Sequence, residues 1–349
     1  MTAFSAADTH RFILEAFTAA GLPEDRALVM ADSMIFASLR GVDSHGISRC
    51  GIYLRRLETG LVDRDAEVEV VRSNASSALL DAHNTVGQYA SLKAVELARS
   101  MAEANGIGMV GVARSNHFGA AGFYVKKLAD AGLIGITGAN STKAMVLWGA
   151  SKPFLGTNPL ACAAPAGKFP PLILDMATSV VARGRIRRAL DQGERIPSDW
   201  AIGSDGRKTT DPAEAYKGYV LPFGGPKGSA IALFIEILAG VLTGAAVGPE
   251  IGSLYSDFDR PQGLGHFFIA LSPERFIGRE AYNRRMELLV ETVKALPASE
   301  GNTEVLLPGE IERRHEEKRR VDGIPVPSDV LRMLQEVSER YSVPLPEGL

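Results

Sequence analysis

The chain has 349 residues, of which 46% are hydrophobic, and a formal net charge of −3 at pH 7. This length exceeds the usual range of about 100–200 residues for one domain and allows a large core, so two or more lobes are expected. The weak acidity excludes long-range attraction to nucleic acid or to an acidic membrane and favours a small ligand. Cys50 and Cys162 are the only cysteines, and the first ten residues lack the pattern of a secretion signal, so a cytoplasmic protein without disulfides is expected.

The first quarter of the chain predicts helices that lead into a pair of strands. Apolar side chains recur at helical spacing over residues 8–40, and a Gly-Leu-Pro break at residues 21–23 divides them into two helices. A third helix is predicted over about 47–57. Residues 67–80 contain β-branched and alternating stretches, which predict two strands with a turn at residues 73–74.

The middle of the chain alternates between helical and strand-like segments. A helix is predicted over 88–105, a strand over 107–113, a helix over 121–131 and a strand over 133–137. This alternation favours an α/β arrangement, in which ligands commonly bind beyond the carboxyl ends of strands. Further strands are predicted over 160–165, 172–175 and 265–271.

Two later segments are distinguished by their composition. Residues 229–247 are apolar and nearly long enough to span a membrane, but Glu236 lies in their middle, so a buried helix is predicted instead. Residues 310–320 are strongly charged, which is typical of a helix with a solvated face. An amphipathic helix is predicted to follow over about 328–341.

The tract DSHGISR, residues 43–49, is the strongest candidate for chemistry. If a helix begins here, His45, Arg49 and Tyr53 share one face at successive spacings of four residues. An imidazole exchanges protons near neutral pH, and a planar guanidinium holds a carboxylate through two parallel hydrogen bonds. The tract therefore suits a small organic acid. The alternative is that its first two residues only cap the helix and that the histidine and arginine are solvated.

A second candidate is the small-residue loop SNHFGAAG, residues 115–122, which follows a predicted strand and precedes a predicted helix. Small residues let a ligand approach the backbone, and a helix N-terminus offers its amides to an anion. His117 would stand at the entrance of this site, unless the loop is only a cap with a hydrogen-bonded histidine. A nearby Gly-x-Gly-x-x-Gly pattern, residues 106–111, follows a helix and leads into a strand, so Gly106 is predicted to end that helix rather than to bind a dinucleotide.

Other strand ends and turns also carry polar or small residues. Residues 140–143 follow one predicted strand and residues 175–179 follow another, and their grouping at one sheet edge is what a cofactor site needs. The turns at 156–159 and 223–229 contain glycines, which leave backbone accessible to a ligand. The second turn places Lys227 before a long helix, which suits a phosphate, although its spacing is not that of a P-loop.

No sequence pattern predicts a metal centre or a covalent nucleophile. The six histidines are far apart, and the chain has neither a His-x-x-x-His nor a Cys-x-x-Cys pattern. It has no Gly-x-Ser-x-Gly pattern, and neither cysteine has an adjacent base. We therefore expect a reaction that depends on neither a metal ion nor a covalent nucleophile.

Taken together, these motifs resemble those of the type-2 malate/L-lactate dehydrogenase family, which includes ureidoglycolate dehydrogenase, sulfolactate dehydrogenase, diketogulonate reductase and reductases of cyclic imino acids. The resemblance covers nearly the whole chain, and so many ordered matches are more specific than any one of them. The matching segments are DSHGISR (43–49), SNHFGAAG (115–122), GTNPLACAAP (156–165), DMATS (175–179), TTDP (209–212), GGPKGSAIALFIEILAGVLTGA (224–245) and GHFFIALSPERF (265–276).

The resemblance implies an α/β fold unlike the Rossmann fold, with a mixed sheet flanked by helices as in sulfolactate dehydrogenase. It implies a helical portion for substrate and dimer contacts over 1–72, joined by 311–349, and an α/β NAD(P)-binding domain over 73–310 with a helical insertion. It also implies a homodimer whose active site lies near the subunit contact.

The same resemblance implies roles for individual residues of an NAD(P)-dependent oxidoreductase. His117 looks like the proton donor and acceptor, with Ser44 and His45 as further catalytic residues. Arg49, Tyr53 and Thr157 would contact the substrate. NAD or NADP would be bound by Phe118, Gly119, Ala120, Ala121, Ser141, Asp175, Met176, Ala177, Arg183, Gly184, Lys227, Pro308, Gly309 and Glu310.

One departure from the family pattern bears on the substrate. In the cyclic imino-acid reductases, an aspartate joins Ser44 and His45 at a position that corresponds to Arg185 here. Without that carboxylate, His45 loses a partner that would orient it and raise its basicity. We therefore expect a 2-hydroxy or 2-oxo acid of the malate, lactate or ureidoglycolate type as substrate. A cyclic imino acid is one alternative, and a nucleotide-sensing protein without turnover is another.

Overall fold

The computed structural model describes residues 2–348, which form helices around one large sheet and two small ones. The helices are α1 (Ala6–Ala19), α2 (Glu24–Leu39), α3 (Cys50–Glu58), α4 (Gly87–Asn105), α5 (Gly122–Asp130), α6 (Arg183–Gln192), α7 (Pro212–Lys217), α8 (Pro226–Glu236), α9 (Arg279–Lys294), α10 (Glu310–Asp322) and α11 (Ser328–Tyr341). The strands are β1 (Thr2–Phe4), β2 (Glu69–Ser73), β3 (Ser77–Asp81), β4 (Ile107–Ser115), β5 (Ile134–Ala139), β6 (Met145–Val146), β7 (Pro153–Leu155), β8 (Leu160–Ala166), β9 (Phe169–Met176), β10 (Ala201–Ile202), β11 (Tyr219–Val220), β12 (Leu264–Leu271) and β13 (Ile324–Val326).

The large sheet has seven strands in the order β2-β3-β4-β12-β5-β8-β9. β3 and β4 run parallel, and the other neighbouring pairs are antiparallel. This mixed sheet confirms the predicted fold class. Because β12 is antiparallel to β4 and β5, and β8 is antiparallel to β5 and β9, the carboxyl ends of β4, β5 and β9 lie at one edge. The predicted grouping of these three strand ends is therefore confirmed.

Both faces of the large sheet are covered, because side chains alternate along each strand. Phe268 of β12 is buried in the core beneath α4 and α5, together with Val110 and Tyr124. Its neighbour Phe267 belongs to a core on the opposite face, where it packs with Ile235 of α8.

A separate core joins helices from the two ends of the chain. Phe12 of α1 and Met30 of α2 are buried in it together with Ile324 of β13. β1 pairs antiparallel with β13 beside this core. The domain limits, 1–72 with 311–349 and 73–310, stay a prediction.

A smaller unit lies between β5 and α8 in the chain. Its short strands pair in the order β10-β11-β6-β7, and α7 packs against β10, β11 and α6. Met145, Ile186 and Ile196 are buried in its core.

The apolar segment 229–247 differs from the predicted buried helix. α8 continues into a π-helical turn at Ile237–Val241, and Phe234, Val241 and Leu242 are 60–66% exposed. Apolar composition indicates a surface that avoids water, but it does not say whether the same chain covers that surface. Within residues 2–348, no helix is both long and apolar enough to cross a membrane.

Periodicity predicts most of the other elements correctly. Gly106 follows α4 with a φ of 90°, which confirms it as a glycine that ends the helix. The sequence pattern does not predict α9, because Val290 is the one buried residue of that helix and its apolar pattern is therefore weak.

Candidate active site

The candidate residues of the DSHGISR tract lie in three short elements rather than one helix. His45 ends a 3-10 turn at Asp43–His45, Arg49 ends a second at Ile47–Arg49, and Tyr53 lies in α3. The prediction that these side chains share one helix face is therefore wrong.

Gly46 explains the break between the two turns. A Cβ atom at this position would lie 2.1 Å from Oγ of Ser38 in α2, so only glycine fits without a shift. The same Oγ accepts a 3.0 Å hydrogen bond from the backbone N–H of Ile47. This close approach turns the chain before α3 begins.

His117 lies in the loop between β4 and α5 and is held by contacts from distant segments. Its Nδ1 atom is 2.6 Å from the hydroxyl oxygen of Tyr53 and 3.2 Å from the backbone nitrogen of Gly119. Its backbone N–H donates a 3.0 Å hydrogen bond to Oε1 of Gln262. The ring of His45 stacks on its ring, with centroids 5.4 Å apart. The predicted site residues His45, Tyr53 and His117 are thus brought together.

These contacts determine which nitrogen of His117 carries the proton. The Gly119 N–H can only donate, so Nδ1 accepts and the proton of the neutral ring is on Nε2. Burial, followed by the nearby His45, Arg49 and His266, lowers the pKa of His117 well below its ordinary value. Neutral His117 therefore has an Nε2–H group that can donate to a substrate oxygen.

Ser44, His45 and Arg49 hold one another beside this ring. Oγ of Ser44 is 2.9 Å from Nδ1 of His45, and burial together with the Arg49 charge lowers the pKa of His45 to about 3. Nε of Arg49 donates to the backbone oxygen of Ser44, and its guanidinium lies 5.1 Å from the ring centroid of Tyr255. Within residues 2–348 this is the only hydrogen bond of the guanidinium, so both Nη groups can bind a carboxylate.

Phe118 anchors the loop from behind through aromatic stacking. Its ring lies 4.6 Å from that of His266 and 5.2 Å from that of Tyr124, centroid to centroid. Since its side chain is buried, only its backbone can reach the cofactor that the sequence predicts it to bind.

The rest of the loop, residues 119–121, leads into α5 beside the end of β9. The backbone N–H of Gly122 donates a 2.7 Å hydrogen bond to Oδ2 of Asp175. Met176 ends β9 and Ala177 follows it. Two of the predicted cofactor segments therefore meet at the sheet edge.

The buried amide of Asn158 connects the predicted residue Ser141 to Glu236 of α8. Its Oδ1 accepts a 3.1 Å hydrogen bond from the backbone N–H of Ser141, and its Nδ2 donates to Oε2 of Glu236 at 2.8 Å. The backbone oxygen of the adjacent Thr157 accepts from the N–H of Thr178 at 3.0 Å. Glu236 thus fixes a polar cluster, which explains a carboxylate within an apolar segment.

The turn at residues 308–310 lies against β9. A Cβ atom on Gly309 would lie 2.8 Å from the backbone oxygen of Ile173, so the close approach requires glycine. The carboxylate of Glu310 binds Nζ of Lys294 at 3.1 Å. The Glu310 side chain therefore fixes the turn, and the backbone is left for a cofactor.

The last two segments predicted to bind the cofactor contain Lys227 and Arg183. Within residues 2–348, no hydrogen bond joins either segment to His117 or to the residues that contact it. Lys227 is exposed in the first turn of α8, after two glycines with positive φ. A cation is unfavourable at a helix N-terminus unless an anion binds there. Arg183 begins α6 and donates a 2.7 Å hydrogen bond to the backbone oxygen of Tyr216, while a Cβ atom on Gly184 would meet nothing within 4 Å.

The donor set of these segments fits NAD or NADP. Lys227 and Arg183 are two cations that would bind a diphosphate, and the glycine backbone before α8 would allow its close approach. Thr157 and Ser141 lie beside the strand ends that carry polar residues. Within residues 2–348, no group of three or more His, Cys, Asp or Glu side chains is placed to hold a metal ion.

Sequence reasoning missed several residues that build the site. Gln262 holds the backbone of His117, and Tyr255 supports Arg49, yet neither belongs to a recognisable motif. Asn158 lies in the noted turn at 156–159, so its signal was available.

Known proteins are similar to this chain over nearly its whole length. A family model described as malate/L-lactate dehydrogenase matches residues 4–335. L-sulfolactate dehydrogenase of Methanocaldococcus jannaschii is 38% identical over 327 residues, which cover 94% of either chain. The NAD(+) ureidoglycolate dehydrogenase of Escherichia coli O157:H7 is 33% identical over 325 residues, or 93% of either chain. The NADP(+) (2R)-3-sulfolactate dehydrogenase of Chromohalobacter salexigens is 36% identical over 317 residues, or 90% of this chain and 92% of that protein.

Solved structures agree with the fold. Sulfolactate dehydrogenase from Methanocaldococcus jannaschii superposes with a TM-score of 0.93 at 36% identity and covers 98% of both chains. The delta1-piperideine-2-carboxylate reductase of Pseudomonas syringae superposes with a TM-score of 0.87 at 30% identity, covering 97% of this chain and all of that one, 100%. The chain therefore belongs to the malate/L-lactate dehydrogenase family and is an NAD(P)-dependent 2-hydroxyacid dehydrogenase.

Proposed function

We propose that the enzyme transfers hydride between a nicotinamide cofactor and a small 2-hydroxy or 2-oxo acid of the malate, lactate or ureidoglycolate type. His117 is the general acid and base of this proposal. The observation that carries it is the 2.6 Å contact of the Tyr53 hydroxyl with Nδ1 of His117, which leaves Nε2–H for the substrate. Ser44 and His45 lie beside it, and the nearby Arg49 offers two Nη groups.

The carboxylate of the substrate is bound by Arg49. A guanidinium and a carboxylate form two parallel hydrogen bonds, which orient the neighbouring carbon as well as hold the charge. The Tyr255 ring and the Ser44 backbone oxygen keep the guanidinium in place. Thr157 lies at the strand edge and is proposed to contact the substrate from the other side.

His117 donates or accepts the proton that accompanies hydride transfer. The bound nicotinamide supplies the hydride in reduction and accepts it in oxidation. As hydride reaches the carbonyl carbon, negative charge grows on the substrate oxygen, which takes the proton from Nε2 of His117. In oxidation the same nitrogen takes the hydroxyl proton.

A cyclic imino acid is the second candidate, and the likeness to the piperideine-2-carboxylate reductase is what favours it. Arg185, which corresponds to the aspartate of such reductases, is exposed in the first turn of α6. A cation at this position cannot raise the basicity of His45 as a carboxylate would. This difference supports the hydroxy acid.

We also propose that the enzyme is a homodimer whose subunit contact lies near the active site. Phe234, Ile237, Val241 and Leu242 are 40–66% exposed along α8 and the turn that follows it. Apolar patches of this kind are typical of protein interfaces. α8 also carries Lys227, so a second copy seated on this helix would lie close to the cofactor.

The proposed function is tested by following nicotinamide absorbance with NADH and with NADPH against a panel of 2-oxo acids and cyclic imino acids. Turnover of 2-oxo acids alone is the expected result. A preference for the imines would replace it with the second candidate. Oxidation of neither cofactor with any substrate would contradict both, and a nucleotide-sensing role would then have to be considered.

A further inference from the structure

A small, partly open cavity lies next to the Tyr53–His117 pair. Its volume is about 20 Å³, which is enough for one water molecule. Tyr53 and His117 line it together with Arg56, Gln88 and Asn116, whereas His45 and Arg49 do not line it. The cavity is therefore distinct from the pocket proposed for the substrate.

Polar groups without partners are concentrated around this cavity. Within residues 2–348, ten buried side-chain nitrogen or oxygen atoms have no hydrogen-bond partner, and four of them belong to Arg56, Gln88 and Asn116. The Asn116 amide cannot be reversed, because its Nδ2 donates to the backbone oxygens of Asn84 and Thr85 at 3.0 and 2.9 Å. Its Oδ1 therefore needs a donor, while Arg56 and Gln88 need an acceptor. A water molecule supplies both.

Arg56 adds a positive charge to the wall of the cavity. Its side chain is 1% exposed, and its Nη1 donates to the backbone oxygens of Ser253, Leu254 and Asp257 at 3.0–3.3 Å. It forms no ion pair with a carboxylate of residues 2–348 within 4.0 Å. A buried cation of this kind favours negative charge on a neighbouring group.

We propose that the cavity binds one water molecule and that Tyr53, hydrogen-bonded to this water, relays a proton to Nδ1 of His117. The proposal rests on the proposed function. In reduction, hydride adds to the carbonyl carbon, the π electrons move to the oxygen, and this oxygen takes the Nε2 proton of His117. The N–H electrons stay in the ring, and Nδ1 takes the Tyr53 hydroxyl proton. Burial raises the pKa of the Tyr53 hydroxyl to about 12, so no phenolate accumulates: the Tyr53 oxygen takes a proton from the water in the same step, and the water takes one from solvent. Oxidation reverses each transfer.

The relay keeps His117 neutral, because loss of the Nε2 proton without a proton arriving at Nδ1 would leave a buried imidazolate. Tyr53 acts through His117, so it is a positioning residue rather than one that contacts the reacting atoms. This role replaces the substrate contact that the family resemblance implies for Tyr53, so the replacement of Tyr53 should change proton transfer and leave the binding of substrate and cofactor intact.

Tyr53→Phe tests the relay. We expect kcat to fall by about 10- to 100-fold, below the full range for a lost general acid because His117 remains. KM for the acid and Kd for the cofactor should stay near wild type. The wild-type rate should depend nonlinearly on the deuterium fraction of the solvent, because two protons move, and the variant should show a linear dependence. An unchanged kcat, or a raised KM with unchanged kcat, would overturn the relay.

The water site is tested separately from activity by an experimental high-resolution structure of the wild-type enzyme. Density for one water within reach of Asn116 and Arg56 is expected, and a dry cavity would overturn the proposal. Val62→Ile, which fills the cavity from its wall, should reproduce the isotope behaviour of Tyr53→Phe. Val95→Ile, in the core beneath α4, is the matched control.

The two proposals fail in different ways. A wild-type enzyme that oxidises neither cofactor contradicts the proposed function. In that case the experimental structure still tests whether the cavity holds a water molecule. Normal turnover by Val62→Ile with loss of activity in His117→Gln contradicts the relay alone.

Discussion

Arg319 of α10 binds both carboxylate oxygens of Asp43, with Nη2 at 3.1 Å from Oδ2. The same guanidinium donates to the backbone oxygen of Ser38 at the end of α2. α10 begins at Glu310, in the turn proposed to bind the cofactor. The charged run is therefore more than a solvated helix face, because it connects that turn to the start of the DSHGISR tract.

Arg319→Ala should loosen the Asp43–His45 turn. We expect unfolding free energy to fall by about 1–3 kcal/mol, since the Asp43 carboxylate loses its guanidinium partner and the Ser38 oxygen keeps only the Gly41 N–H, and kcat/KM to fall by up to about tenfold. Urea unfolding and steady-state kinetics measure the two effects. Arg320→Ala is the matched control, because Arg320 is 60% exposed and pairs only within α10. Equal effects of the two variants would contradict the connection.

His117→Gln should lower kcat by about two to four orders of magnitude, the range for a lost general acid. Glutamine keeps a hydrogen-bonding side chain but cannot exchange protons near neutral pH. Cofactor binding, measured by fluorescence titration, should survive, because the loop backbone is held by Gln262 and by the Phe118 ring. Turnover near wild type would refute the role of His117 as general acid and base.

Arg49→Lys should raise KM for the acid with a smaller effect on kcat. An ammonium replaces two parallel hydrogen bonds with one, and losing one charged hydrogen bond costs about 1.5–3 kcal/mol, or roughly 10- to 150-fold in affinity. Arg55→Lys is the control, because the exposed Arg55 stacks on Phe258 outside the cleft. An unchanged KM in Arg49→Lys would count against the carboxylate contact.

His266 should make the fold sensitive to acid. It is fully buried, and burial lowers its pKa to about 3, whereas the unfolded chain titrates near 6.5. The unfolded state therefore binds more protons below pH 6.5, so this contribution to stability is complete above that pH and is lost as the pH falls towards 3. At pH 5 the loss should be about 2 kcal/mol.

His266→Phe tests this contribution while keeping a ring stacked on Phe118. Comparing urea unfolding at pH 7 and pH 5 should show a pH effect about 2 kcal/mol smaller than in the wild type. His315→Gln, at an exposed histidine, is the control and should keep the wild-type pH effect. An identical pH effect in His266→Phe and wild type would show that His266 is not responsible.

Phe234→Glu should dissociate the proposed homodimer. A charge placed in an apolar contact must be desolvated without a partner, which is strongly unfavourable. Light scattering coupled to gel filtration should report a monomer, and activity should fall because the proposed contact is near the active site. Leu288→Glu, at an exposed leucine of α9, should stay dimeric. A monomeric wild type would contradict the proposal outright.

Local patterns in the sequence predicted most of the elements that carry the site, but not the two short turns before α3. Apolar spacing identified α1, α2 and α4, because a helix that covers a core must repeat its apolar face every three to four residues. Strand ends with polar residues were predicted to group at one edge, and β4, β5 and β9 confirm this. The motifs also identified the family, since many short matches in the same order are specific together.

Only the tertiary structure decided how the side chains meet. The break before α3 comes from the approach of Gly46 to Ser38, and a helical pattern does not record such a neighbour. Gln262 reaches His117 across 145 residues and Arg319 reaches Asp43 across 276, so neither contact leaves a periodic or local signal. The exposure of α8 likewise depends on which surfaces the rest of the chain covers. Composition and spacing encode what each segment tends to form and to avoid, whereas the partners of a side chain depend on the packing of the whole fold.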